Sequence, residues 1–199
     1  IVGRLTSLFS SIKTQQIDKE FGLQGKICHE PHRKRSLFNI RVAADILHQV
    51  PESMSLFVNG FWLSLTKSRL KITADISYWV LVGERLLNQW DNDIRLLASI
   101  IPHKLTSNKI HHIHARMGTT QSPQCPEPLD PAFAAEREFF ERFWLDVIEY
   151  KQNTNSGSCI TWVPEYGPFP YHPRGSMQAH GDLADSEAER LEKLFNDKL

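Results

Sequence analysis

The chain has 199 residues, its 23 Lys and Arg are matched by 23 Asp and Glu, and 41% of its residues are hydrophobic. That balance excludes the basic excess of a dedicated nucleic-acid binder and any electrostatic pull toward an anionic membrane. No apolar run approaches the roughly 18 residues that a membrane span requires, and the length suits one domain of about 100–200 residues.

In chain order, residues 2–21 place Val2, Leu5, Phe9, Ile12, Ile17 and Phe21 at a roughly helical period, with Gly22 as the stop. KICHE at 26–30 reads as a buried strand ending in Glu30, and NIRVAADILHQ at 39–49 as a helix with Asn39 as N-cap and Pro51 beyond its end. Residues 53–69, SMSLFVNGFWLSLTKSR, are apolar and aromatic without clear turn signals. They read as a packed surface insertion, or as a segment absent from the native product. LKITADIS at 70–77 is a strand, followed by a helical stretch over 79–101 broken near Asp91. KIHHIHAR at 109–116 is a strand, 131–151 a long helix, CITWVPEYG at 159–167 another strand, and GPFPY a loop. A last helix over 185–197 is capped by Asp185 or Ser186 and carries Ala188, Leu191, Leu194 and Phe195 on its apolar side. The three scattered cysteines, Cys28, Cys125 and Cys159, form no C-x-x-C pair and read as reduced thiols of a cytoplasmic protein.

Single strands alternating with long helices predict an α/β fold with a parallel sheet. Each predicted strand ends in ionisable residues: Glu30, Asp75, His114 with Arg116, and Glu165. In parallel α/β folds the ligand site lies at the C-terminal ends of the strands. Alternation puts His112, His114 and Arg116 on one face. Each carboxylate alone is read most simply as a cap or a salt-bridge partner. Together, carboxylate oxygens and imidazole make a ligand set for one divalent metal, with Mn, Mg, Co or Zn as candidates. HEPH at 29–32 is not the H-E-x-x-H of a zinc protease, and HRKR at 32–35 reads as a solvated loop in which Arg33, beside Glu30, can meet an anionic substrate group.

HEPHRKR, TADISYW, ERLL, HIHARMGTTQSPQCPEP and PEYGPFPY, in that order, resemble the sugar phosphate isomerase/epimerase family with a xylose isomerase-like TIM barrel, over residues 20 to 172. The resemblance implies a (β/α)8 barrel of which the last four β/α units are present. The barrel would cover residues 1–172, with the insertion at 53–69, and 173–199 would be a linker and C-terminal helix. It implies a metal held by Glu30, Asp75, His114 and Glu165, with Glu30 and Glu165 also moving a proton between neighbouring carbons of a sugar or sugar phosphate. His32, His112, Arg116 and Gln124 become substrate contacts. So does Tyr78, which stands where the family has His in D-x-S-H-W. Thr is also the more usual residue at Pro31. A typical barrel needs about 250 residues, so half a barrel with open sheet edges is expected to pair with a second copy, or to belong to a longer enzyme. Two rivals stay open: an inactive partial barrel kept as a binding or scaffold protein, and a metal-dependent phosphodiester hydrolase, which would want several metals and more His ligands.

Overall fold

The structure, a computed structural model, describes residues 20–21, 30, 53–58, 61–66, 72–87, 110–154 and 160–199. The helices expected over 2–21 and 39–49, the strand before Glu30 and the second piece of the helix over 79–101 lie outside these, apart from Glu20, Phe21 and Glu30. So do His32 and Arg33.

The described residues form a mixed α/β structure. Strands β1 (Ser53–Val58) and β2 (Phe61–Thr66) pair antiparallel, from Ser53 opposite Thr66 to Val58 opposite Phe61. The segment expected to lack turn signals is therefore a hairpin. Its register leaves only Asn59 and Gly60 between the strands, and Asn-Gly is the pair that a two-residue hairpin connection favours.

The second sheet carries the chemistry. Strands β3 (Ile72–Ala74), β4 (Ile110–His114) and β5 (Thr161–Val163) lie in that order, both pairs parallel. Thr73 pairs with His112, which pairs with Thr161; His114 pairs with Val163. β-Branched residues supply much of the sheet, as pleated strands favour; β3 is fully buried, β4 partly so, and β5 is the open edge. Both outer strands are shorter than their sequence patterns predict. β3 stops at Ala74, because Asp75 and Ser77 bond locally and start helix α1 (Ser77–Gly83). β5 stops before Pro164, which has no N–H to donate to a ladder.

Helix α1 ends where Glu84 takes a left-handed conformation, φ 50°. Between β4 and β5 runs helix α2 (Ala134–Thr154), entered through a 3-10 turn over Pro131–Phe133. Asp130 caps that turn by accepting from the Ala132 N–H at 2.7 Å, and Pro131 occupies a position whose N–H would have no partner. Phe140, Phe143, Trp144, Val147 and Ile148 recur at helical spacing and are buried with Ile113 and Ala115 of the sheet region. Each such large side chain stabilises the fold by about 1.5–3 kcal/mol.

Helix α3 (His180–Lys198) starts five residues before the expected site. Asp185 and Ser186 are therefore inside it and not its cap; Ser186 Oγ donates back to Leu183 O at 3.0 Å. Leu191 and Phe195 belong to the same core as α2, so this helix is part of the described fold and not an appendage. The expected loop after β5 is present, with a cis Phe169–Pro170 peptide and Gly175 at φ 82°. Among the described residues no helix is long and apolar enough to cross a membrane.

Candidate metal centre

Parallel strands bring their C-terminal ends to one edge. Asp75 follows β3, His114 closes β4, and Glu165 comes two residues after β5. Glu30 joins them, and one ligand atom from each of the four lies within 4.8 Å of all the others. Nδ1 of His114 is the meeting point: Glu165 Oε2 is at 2.8 Å, Glu30 Oε1 at 3.5 Å and Asp75 Oδ2 at 4.0 Å. The four residues that the sequence pattern assigned to a metal are thus brought together.

Asp75 is fully buried and held from two sides. Its Oδ1 accepts from the N–H of Ser77 at 3.2 Å and from the Ser77 hydroxyl, a local turn that Asp two residues ahead of a donor readily forms. Its Oδ2 accepts from Arg116 Nη2. Burial lifts the carboxyl to about 6, against the opposing pull of Arg116 and Ser77.

Burial also works against a charged His114, but the Glu165 and Glu30 carboxylates outweigh it and raise the imidazole to about 9. Without a metal, those carboxylates favour the protonated form of the ring. Glu30 and Glu165 are the open pair, their side chains 23% and 43% exposed against 0% for Asp75 and 16% for His114.

The donor set fits a divalent cation in type and charge. Carboxylate oxygens and one imidazole suit ions such as Mn, Mg, Co or Zn. With the imidazole neutral, three carboxylates and one guanidinium leave two negative charges uncompensated, which is the charge a divalent ion offsets. One atom from each residue lies within 4.8 Å of the others, close enough together for these four residues to hold a single such ion.

The expected substrate contacts divide. His112 stands beside the cluster, its ring 5.2 Å from that of His114 and perpendicular to it, with Nδ1 2.7 Å from Thr161 Oγ1. Burial, then the neighbouring His114, lowers its pKa, so it favours the neutral ring. Arg116 is 3% exposed, with the rings of Tyr78 and Tyr171 over its guanidinium at 5.2 and 5.6 Å. Burial opposes its charge, and Asp75 and Glu165 more than restore it, so its pKa stays above the ordinary value. Tyr78 is buried, and its hydroxyl lies 3.5 Å from that of Tyr171.

Gln124 joins two loops. It donates from Nε2 to Gly167 O and His172 Nδ1, at 3.2 and 3.1 Å, and accepts the Gly167 N–H at 2.8 Å. Its amide is taken up inside the protein. Ser77 and Tyr171, both close to the centre, were not singled out from the sequence. A donor two residues after Asp75 was the legible sign of the first, and the second closes the PEYGPFPY motif.

Compared with protein-family models, curated proteins and solved structures, the chain matches none.

Proposed function

We propose that this chain carries the metal centre of a sugar or sugar phosphate isomerase/epimerase, and that its parallel sheet is a sector of a xylose isomerase-like (β/α)8 barrel. The observation that carries the reading is the convergence of Glu30, Asp75 and Glu165 on Nδ1 of His114 at one end of a parallel sheet. The resemblance in sequence supports the reaction class.

The unequal exposure of the four ligands supports a division of labour. Asp75 and His114, the more buried pair, are anchors. Glu30 and Glu165 reach solvent, and so can reach a substrate as well as a cation. One removes a proton from the carbon beside a carbonyl, and the other returns it to the neighbouring carbon. A divalent ion bound there would polarise the carbonyl and steady the negative charge that develops on oxygen.

The test is metal content of the purified chain by elemental mass spectrometry, beside NMR of ketoses and ketose phosphates incubated with it in D2O. About one divalent ion per chain, lost in Glu165→Ala, with deuterium entering next to the carbonyl in wild type and not in Glu30→Gln, is the expected result. A folded protein that takes up no metal would sink the proposal.

A second reading, binding without turnover, is favoured by Tyr78, whose ring faces Arg116 and whose hydroxyl meets Tyr171. Metal uptake without deuterium exchange would select it. Phosphodiester hydrolysis by several metals is less supported, since the described residues contain one ligand group of this kind.

A further inference from the structure

We infer that Arg116 is a positioning residue of the metal centre, which aims the carboxylates of Asp75 and Glu165 and does not bind substrate. This rests on the metal-centre reading above. Its side chain is enclosed, with Tyr78 and Tyr171 against the guanidinium. Nη2 donates to Asp75 Oδ2 and, at 3.5 Å, to Ser77 Oγ, while Nη1 is 3.6 Å from Glu165 Oε2. One planar fork therefore faces two of the three carboxylates from behind, and the Ser77 hydroxyl it also reaches holds the other oxygen of Asp75.

Three carboxylates within this small space repel one another and would swing apart. A guanidinium counters this with a permanent charge and a fixed spread of donors, which lets one side chain address both acids. The ammonium of lysine is a point charge on a flexible stem and would address one of them. The two tyrosine rings lie against the guanidinium and limit its movement. Groups that orient metal ligands in this way typically change metal affinity by about 10–100-fold when removed.

The experiment is a Co2+ titration of the full chain, followed by calorimetry and by the visible absorption of the bound ion, for wild type, Arg116→Gln and Arg116→Lys. Circular dichroism and melting would establish that each is folded. Arg116→Gln is expected to bind Co2+ about 10–100-fold more weakly, with an altered visible spectrum, and Arg116→Lys to recover only part of the affinity. A folded Arg116→Gln with wild-type affinity and spectrum overturns the assignment. If that variant does not fold, Arg116→Lys is read in its place, and wild-type affinity there overturns the role of the fork. Collapse of both variants also overturns it, since Arg116 would then serve the fold and not the centre. Wild type that takes up no Co2+ defeats the metal reading itself, whereas equal binding by wild type and variant defeats the role of Arg116 alone.

Discussion

Oε2 of Glu165 stands 2.8 Å from Nδ1 of His114, and the imidazole of that pair is raised to about 9. A metal ligand must be unprotonated, so a cation has to displace this proton. Affinity for Mn2+ is therefore expected to rise about tenfold per pH unit between about pH 6 and 8, with close to one proton released per ion bound. The metal-free fold responds in the opposite sense. Stability from the protonated ring is fully present below the ordinary value of 6.5 and is lost as pH rises through about 9. Calorimetry in buffers of different ionisation enthalpy measures the proton count. Affinity independent of pH would contradict the arrangement.

Gly118 supports the centre from the next loop. A Cβ at this position would stand 2.9 Å from Ser77 Cβ, 3.0 Å from Ser122 O and 3.2 Å from Pro123 C. Two of those three are backbone atoms and the third, a Cβ, is fixed to its backbone, so the chain itself must shift, and one of the segments in contact is Ser77, which holds Oδ1 of Asp75. Gly118→Ala is expected to cost about 1–3 kcal/mol by overpacking and to weaken metal binding as well. Urea denaturation and a Co2+ titration check both. A loss of stability with unchanged affinity would uncouple the loop from Asp75.

The sequence carried the centre further than the fold. Acids and an imidazole at successive strand ends are legible because parallel strands finish at one edge, and Asp75, His114 and Glu165 meet there. The element ends were less legible, since they depend on local competition. Asp75 bonds to Ser77 and stops β3, and the last helix begins at His180 without a side-chain cap to announce it. Gln124 and Arg116 read as substrate contacts through the family resemblance, and neither sequence position shows what its side chain meets. What takes them up, Gly167 in one case and Asp75 in the other, is 43 and 41 residues away along the chain. The hairpin is hard to read for a different reason: the apolar and aromatic run of 53–69 carries one turn signal, Asn59–Gly60, the pair that marks it.

Arg190 joins the last two helices. It donates through Nε and Nη2 to both oxygens of Glu187 on α3, at 2.7 and 2.9 Å, and through Nη1 to Glu141 on α2 at 2.5 Å. Glu187 is only 2% exposed, so Arg190→Ala would strand a buried carboxylate. A fully buried pair broken this way costs about 3–5 kcal/mol. Arg190 is 24% exposed and water can reach the break, so about 2–3 kcal/mol is expected. The double replacement Glu187→Leu with Arg190→Leu should recover most of the loss, because the buried Glu187 carboxylate goes with its partner and only Glu141, 19% exposed and within reach of water, loses a contact. Urea denaturation of the single and double variants tests this, and equal losses in both would contradict it.

Leu191 decides whether α3 belongs to the fold that holds the carboxylate–histidine cluster. It is completely buried, and one turn further on Phe195 meets the Trp162 ring of β5 edge-on at 5.2 Å. Trp162 lies on the strand that leads to Glu165, so the helix braces the element that delivers an exposed ligand. Leu191→Ala removes a side chain from the shared core without touching a polar group, and is expected to cost about 2–5 kcal/mol according to how far the cavity closes. Because Leu191 packs in the apolar core and none of Glu30, Asp75, His114 and Glu165 belongs to that core, the folded variant should keep its metal affinity within about threefold. Denaturation and Co2+ titration together test both halves. A neutral Leu191→Ala would show that α3 does not dock as described. A stable variant with much weaker binding would instead make the helix part of the centre's own alignment.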